Sequence, residues 1–464
     1  MSHYKPYPTY KDSGVKWLGQ VPEHWAVKQI KYLASHIGSG KTPTGGAEVY
    51  EDSGVLFLRS QNVYESGLKL EDVAFITDEV DEEMKGSRVK PGDVLLNITG
   101  ASIGRSCLVP NVFERANVNQ HVCIIRSERP SIAKWMALCL PSRTIQAQID
   151  FSQNGAGREG LNFEQIGKML VALPPVSEID EISGLIDRET ARIDALVEKK
   201  TRFIELLREK RHVAIAHAVT KGLDSSVPMR DSGVEWLGEV PQDWVVTKIK
   251  RIILTISQGW SPECDPRVPE PDEWGVLKVG CVNGGEFQAA ESKTLPENLE
   301  PRPELALRKG DVLVSRANTR ELVGGCAVVE KDYPKLMVCD KLYRLLSNPK
   351  KVIPGFLAKL IAVHGRRAVE VEANGASSSM VNISQSVILD LMVAMPSLSE
   401  QKKILAKIDK VTSRIDLVIT QTVRSIELLK ERRSALITAA VTGQIDLRDT
   451  TVAAASQIEL RETA

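Results

Sequence analysis

The stretch "DSGVKWLGQVPEHWAVKQIK", Asp12 to Lys31, decides the architecture, because the chain spells it again as "DSGVEWLGEVPQDWVVTKIK", Asp231 to Lys250. Of these 20 aligned positions, 13 are identical. Later pairs keep an offset of about 220 residues. "KPGDVLL" (Lys90 to Leu96) matches "RKGDVLV" (Arg308 to Val314), and Asn154-Gly155 matches Asn374-Gly375. "ALPPVSE" (Ala172 to Glu178) matches "AMPSLSE" (Ala394 to Glu400), and "VTKGLD" (Val219 to Asp224) matches "VTGQID" (Val441 to Asp446). A period this long is not a solenoid repeat; it is a two-fold duplication.

Each copy runs in the same order: a tryptophan-rich lead-in, a globular part, a proline hinge and a long helical segment. The order divides the chain into 1–175, a first globular domain with its lead-in, and 176–220, a first long helix. A second such domain follows at 221–396, a second long helix at 397–442 and a tail at 443–464. A duplicated chain can fold with internal pseudo-two-fold symmetry, the arrangement homodimers reach with two chains.

After each hinge the apolar spacing alternates four and three, a heptad seam. The first run, Ser177 to Val219, places Ile182, Ile186, Glu189, Ile193, Leu196, Lys200, Phe203 and Leu207 on it. The second, Ser399 to Val441, places Ile404, Ile408, Val411, Ile415, Val418, Thr422, Ser425 and Leu429. Ser177 and Ser399 are the expected N-caps. Helices of roughly 40 residues, about 60 Å long, with one apolar stripe need a partner, and the other copy supplies one. The two helices are expected to pack as a coiled coil that holds two domains apart like a ruler; a plain dimerisation coil is the simpler alternative.

Between lead-in and hinge, short strand-like runs such as "GVLFLRS" (Gly54 to Ser60), "GDVLLNITG" (Gly92 to Gly100) and "GDVLVSR" (Gly310 to Arg316) mix with short amphipathic helices at "IAKWMALCL" (Ile132 to Leu140) and "PGFLAKLIAVH" (Pro354 to His364). The fold class is therefore α+β. The copies agree in this frame and differ in their loops, which carry Arg, Asn, Gln, Ser and Thr. Those side chains reach phosphates and base edges.

Composition narrows the function. The 464 residues carry 60 basic and 60 acidic side chains, so bulk positive charge does not drive any nucleic-acid binding. No apolar run reaches membrane-span length, and the N-terminus carries no signal-peptide core. The seven cysteines form no C-x-x-C pair and suit buried thiols in a reducing cytosol. No H-E-x-x-H motif occurs among the histidines. "GSGKTP" (Gly38 to Pro43) looks like the end of a P-loop, but Ser35 stands where its first glycine belongs. The second copy reads "SQGWSP" (Ser257 to Pro262) at the same place, with Trp260 for Lys41. The shared element is a glycine turn, not a phosphate grip.

Taken together, the duplicated lead-ins, the "GDVLLNITGASIG" segment (Gly92 to Gly104), the "PPVSEIDEI" and "PSLSEQKKI" hinges and the "IELLREKR"/"IELLKERR" helices resemble the specificity subunit of type I restriction-modification systems. The resemblance covers nearly the whole chain. It implies two target recognition domains, each reading half of a split site in double-stranded DNA, with the antiparallel helices setting the unread spacer. It implies two adenine-N6 methyltransferase subunits, which bring S-adenosylmethionine, and two restriction subunits, which use ATP and Mg²⁺, in the cytoplasm. No catalytic residue, cofactor or metal is expected in this chain itself.

On loop position, the expected DNA contacts in the first half are Arg59, Gln61, Asn62, Arg105, Asn119, Gln120 and Arg158. In the second half they are Lys278, Asn283, Arg316, Asn318, Arg320, Lys341 and Ser378. Two rivals stand beside this reading. One is a scaffold of two protein-binding domains on a coiled coil, which the neutral charge suits. The other is an enzyme using Asp93 or Asp311, although Gly-Asp turns commonly use Asp for structure.

Overall fold

The computed structural model describes residues 4–153, 160–372 and 381–448. It is a mixed α/β protein that divides into two compact units. One comprises Met1–Thr201 with Val423–Ala464, the other Arg202–Thr422. The α-helices among the described residues are α1 (Asp78–Glu83), α2 (Pro130–Cys139), α3 (Arg143–Gln153), α4 (Phe163–Lys168), α5 (Val176–Lys221), α6 (Pro354–Glu372), α7 (Gln385–Asp390) and α8 (Leu398–Val441). Each unit contains a part of α5 and a part of α8.

The first unit is built on two four-stranded sheets. One runs in the order Ser106–Leu108, Val94–Asn97, Val122–Arg126, His36–Ser39, all antiparallel. The other runs Ala74–Ile76, Val55–Leu58, Ala116–Val118, Arg88–Val89, with its central pair parallel. The hinge strand Leu170–Leu173 pairs with Ala26–Gln29 from the lead-in. The second unit repeats this scheme. Its first sheet is Cys326–Val328, Val312–Ser315, Leu342–Ser347, Ile253–Gln258, and its second is Ser292–Thr294, Gly275–Leu277, Tyr333–Met337, Ala306–Leu307. Val245–Lys248 pairs with Met392–Met395.

Alternation along the central strands explains why they read as unbroken apolar runs. Side chains of a strand point alternately to its two faces. Val94 and Leu96 enter the core that holds Trp25, Trp135 and α2, whereas Leu95 enters a second core with Leu56, Leu58 and Val118. Val312 and Val314 join the core of Trp244 and Phe356, and Leu313 joins that of Leu277 and Met337. A strand buried on both faces has no polar side to show.

The lead-in tryptophans anchor the long helices. Trp25 is fully buried, edge-on to Trp135 at 5.7 Å, in the same core as Ile179, Ile182 and Ile186 of α5. Leu436, Ile437 and Ala440 of α8 share that core. In the second unit, Trp244 lies with Ile404 and Ile408 of α8 and with Ile215 and Val219 of α5, and its indole N–H donates to Glu400 at 3.2 Å. Gly443, at φ +70°, ends α8, and its missing side chain leaves room for Pro22 and Trp25.

Two local expectations change. The least exposed seam of α5 runs Ile186, Thr190, Ile193, Val197, Lys200, Ile204, Leu207, buried or half-buried throughout, so Thr190, Val197 and Ile204 replace Glu189, Leu196 and Phe203. Leu196 and Phe203 are 43% and 46% exposed, while Ile204 is 7% exposed. In α8, Thr412 and Ile419 likewise replace Val411 and Val418, while Ser425 and Ile426 are both half-buried. A heptad can be divided as four-three or three-four, and adjacent apolar residues such as Leu196-Val197 satisfy either division. The caps also move: α5 and α8 start at Val176 and Leu398, so Ser177 and Ser399 lie within the first turn. Ser397 accepts from the Glu400 N–H through its Oγ at 3.2 Å.

Candidate nucleic-acid interface

The strands Val94–Asn97 and Val312–Ser315 end in loops tied by the same backbone bonds. Asn97 N–H donates to Arg105 O and Gly104 N–H to Asn97 O; Ser315 N–H donates to Gly325 O and Gly324 N–H to Ser315 O. Next along, Ile98 N–H donates to His121 O, and Arg316 N–H to Lys341 O. Asn97 is thus the counterpart of Ser315, Ile98 of Arg316, and His121 of Lys341. A second loop leaves the parallel strand of each unit. There, Asn62 N–H donates to Arg59 O, and Cys281 N–H to Lys278 O. The backbone frame is shared, and the side chains on it are not.

In the first unit, Ser60, Gln61, Thr99, Gly100, Ser102, Arg105 and His121 line an open cavity of about 560 Å³. The Arg105 guanidinium lies 4.6 Å from the Tyr64 ring centre and reaches Ser60 O at 3.4 Å. Arg59 lies 5.6 Å from the Tyr50 ring and donates to Asp72 O at 3.2 Å. Gln61 donates to the Asp72 carboxylate at 2.7 Å. Gln120 is exposed and sits 2.9 Å from His121 Nε2, while His121 Nδ1 meets the Thr99 hydroxyl. The structure therefore brings Gln61 and Arg105 onto one concave surface, with Gln120 beside its His121.

Asn62 and Asn119 face inward. The buried Asn62 accepts from Arg59 N–H and donates to Lys69 O and Asp72 O, closing its own loop. Asn119, 8% exposed, accepts from His121 N–H. Its place in the second unit falls to Cys339, and that of Asn62 to Cys281, both buried. Arg158 and Ser378 lie outside the described residues.

In the second unit, Arg316 reaches Asp340 O at 3.4 Å and lies 5.6 Å from the Tyr343 ring. Lys341 and Arg320 are exposed beside it on the same pair of loops. Asn318 accepts from Thr319 N–H, and Lys278 precedes the turn Val279–Gly285 that carries Asn283. Asn283 lines a different hollow, with His212, Lys359 and Gly324.

Polar atoms buried without a hydrogen-bond partner gather at these loops. In the first unit they include Arg59 Nε, Asn97 Oδ1, Arg105 Nε and Ser106 Oγ; in the second, Asn283 Oδ1, Ser315 Oγ, Arg316 Nε and Asn318 Nδ2. Such a group costs about 1–3 kcal/mol unless a partner arrives, so their recurrence on these loops makes the loops the candidate contact surface. Sequence reasoning did not single out Tyr64, Asp72, Asn97 or His121. Tyr64 was visible in the loop "SQNVYESG" (Ser60 to Gly67), but its stacking on Arg105 requires the fold.

The two Gly-Asp turns are structural. Asp93 accepts from Lys90 N–H at 2.7 Å and pairs with Arg126 at 2.7 Å, while Asp311 accepts from Arg308 N–H at 2.9 Å. Burial pushes the Asp311 carboxyl above its ordinary range, against the Arg308 N–H and nearby arginines. No group of three or more metal-ligating side chains occurs among the described residues. No described helix is long and apolar enough to cross a membrane.

At "GSGKTP", the strand His36–Ser39 runs into a non-helical segment. A Cβ on Gly40 would fall 1.6 Å from Val118 O, and one on Gly259 would fall 2.0 Å from Val338 O. Both glycines admit a backbone carbonyl at or just past the end of a neighbouring strand, a close approach that only glycine permits.

A family model for "Type I restriction modification DNA specificity domain" matches residues 241–428. The chain is 37% identical over 180 residues to the EcoEI specificity subunit of Escherichia coli, covering 37% of this chain and 29% of that one. It is 20% identical over 439 residues to the EcoKI specificity subunit of Escherichia coli K12, covering 92% and 90%. To the MjaVIII specificity subunit of Methanocaldococcus jannaschii it is 21% identical over 451 residues, covering 95% and 98%. The chain thus spans under a third of the first relative and nearly all of the other two. Its fold matches, at TM-score 0.66 and 15% identity, a solved chain from work on "complex assembly and conformational transition of the type I R-M system", over 92% of this chain and 99% of that one. Residues 241–428 thus match a type I restriction-modification DNA specificity domain, and nearly the whole chain is similar to type I specificity subunits.

Proposed function

We propose that the chain is the non-catalytic, sequence-reading subunit of a type I restriction-modification complex. Each unit reads half of a split site in double-stranded DNA. The carrying observation is that orphaned polar atoms recur on the same two loops of the shared frame in both units, amid unlike side chains. A frame held constant with changed loops suits two related ligands of different sequence.

The long helices act as an antiparallel coiled coil that fixes the spacer. Arg433 pairs with Asp194 at 2.9 Å in the first unit, and Arg211 with Asp416 at 3.2 Å in the second. In the duplication Arg211 is the counterpart of Arg433, and Asp194 of Asp416, so each bond is the other's copy. Both pairs obey a single antiparallel register. This favours pseudo-two-fold symmetry and two recognition domains with helices at 176–220 and 397–442. Two readers on a stiff connection multiply selectivity because both can engage at once.

Two methyltransferase subunits carry S-adenosylmethionine and supply phosphate grip that a neutral chain lacks. Two restriction subunits carry ATP and Mg²⁺, and the complex acts on cytoplasmic DNA. The test is a map of methylated adenines in DNA from cells expressing the chain with its methyltransferase. A two-part motif is expected, and a continuous one refutes the proposal. Inserting a heptad into both α5 and α8 adds about 10 Å of helix, close to three base pairs of DNA. The spacer should widen by about that much while both half-motifs persist.

A further inference from the structure

Gln61 is a glutamine that the structure leaves with one function. A free primary amide offers two donors and one acceptor, and in that state it grips adenine in a two-bond fork. Here its nitrogen faces Asp72, with Oδ2 at 2.7 Å and the backbone O at 3.4 Å. A carboxylate only accepts, so the amide nitrogen must be the end that faces it. The main chain that carries this carboxylate is held, because the Asp72 backbone O also accepts from Arg59 at 3.2 Å and from the buried Asn62 at 3.2 Å. What Gln61 has left for a ligand in the cavity of Ser60, Thr99, Arg105 and His121 is its carbonyl oxygen.

We propose that Asp72 is a positioning residue that makes Gln61 an acceptor-only reader, so the first unit selects an exocyclic amino group, adenine N6 or cytosine N4, in the major groove. This rests on the DNA-reading function proposed above. In the major groove those amino groups are donors, whereas thymine O4 and guanine O6 are acceptors that an acceptor-only side chain repels. Arg105, with donors and no acceptor, stands in the same cavity to read guanine or adenine N7 beside it.

The test maps methylated adenines for the full chain co-expressed with its methyltransferase, comparing wild type, Gln61→Ala, Asp72→Ala and the double variant Gln61→Glu/Asp72→Asn. Gln61→Ala identifies the position Gln61 reads, and the wild-type base there tells adenine from cytosine. In Asp72→Ala the amide nitrogen is freed and donates to keto oxygens. Thymine and guanine are then admitted at that position, rising about 5- to 150-fold over wild type. The double variant reverses the hydrogen bond: the new amide donates to the new carboxylate, which still presents only acceptors. It should keep the amino-only choice at unchanged total charge. The second half-motif stays sharp throughout, which reports folding and assembly. Asp72→Ala keeping wild-type sharpness at that position, or a double variant admitting keto bases as Asp72→Ala does, overturns the proposal. So does Gln61→Ala leaving every position of the first half-motif unchanged. A wild-type motif that is not split overturns the DNA-reading function beneath it.

Discussion

Gly40→Ala probes the frame directly. The new methyl would sit 1.6 Å from Val118 O and 2.5 Å from its carbonyl carbon, where contacts under 3.0 Å essentially do not occur. Gly40 and Val118 must therefore separate by about 1.4 Å. Val118 cannot yield cheaply. It is fully buried at the end of a strand paired with Val55–Leu58, and the next residue's N–H donates to Leu58 O at 3.1 Å. Neither Gly40 nor Gly259 has positive φ, so the cost is steric and not conformational. Overpacking costs about 1–3 kcal/mol, and losing one ladder bond adds about 1 kcal/mol. In a unit of this size each kcal/mol lowers the melting temperature by about 2–4 °C. Scanning calorimetry of the full chain should show Gly40→Ala, and likewise Gly259→Ala, melting roughly 4–16 °C below wild type. Lys41→Ala, at an exposed position, should stay within about 2 °C. A Gly40→Ala protein that melts with wild type would refute the packing argument. A Lys41→Ala protein that melts far below it would restore a role for the lysine.

Asp311→Asn should raise the melting temperature at neutral pH. Burial raises the folded carboxyl above its unfolded value, so the ionised group weakens the fold as pH rises from about 4 through the folded value, and the gain should vanish below about pH 4. Burial also acts to raise the Asp81 carboxyl, but hydrogen bonds from Arg88, Arg115 and Asn117 outweigh it and hold it below its ordinary range. Its stabilisation is therefore present above about pH 4 and lost as pH falls through the folded value, so Asp81→Asn should destabilise at pH 7 by urea titration and progressively less in acid. Arg105→Lys should blur the first half-motif by about 1–3 kcal/mol of discrimination and leave the second intact, because an ammonium cannot replace a stacked fork. Double-mutant cycles on Arg433–Asp194 and Arg211–Asp416 should each return about 0.2–1 kcal/mol of coupling, since both aspartates are about half exposed.

The long helices were legible because apolar spacing survives over more than 40 residues and the hinge prolines mark where each begins. Their phase was not, because Leu196-Val197 and Phe203-Ile204 offer apolar side chains to both divisions of the heptad. The buried strands were legible as apolar runs. That Leu95 and its neighbours serve separate cores was hidden, since it depends on what covers each face. At the candidate interface the sequence singled out these loops but could not tell which amides look outward. Asn62 and Gln61 are adjacent and chemically alike, yet one closes the loop and the other lines the cavity. The second copy held a clue, because buried Cys281 occupies the place of Asn62, but unequal loop lengths obscured the correspondence until the backbone bonds fixed it.

The orphaned groups also explain why the frame is conserved between the copies while the loops are not. The four such atoms named at the candidate loops of each unit, at about 1–3 kcal/mol apiece, rival the whole stability of a domain, about 5–15 kcal/mol. Water at the open cavity must carry part of that load in the free protein. The remainder has to be borne by a scaffold with stability to spare: strands buried between two cores, Trp25 and Trp244 locking lead-in to helix, and Gly40 and Gly259 admitting a backbone carbonyl at close range. Those features cannot vary without weakening the support, so they are what the two copies share. The loops are free to change provided each new set of donors and acceptors finds its complement on the ligand. A half-site in which one base pair fails to supply that complement leaves an orphan unpaired in the bound state, and discrimination follows from the same cost that destabilises the free protein.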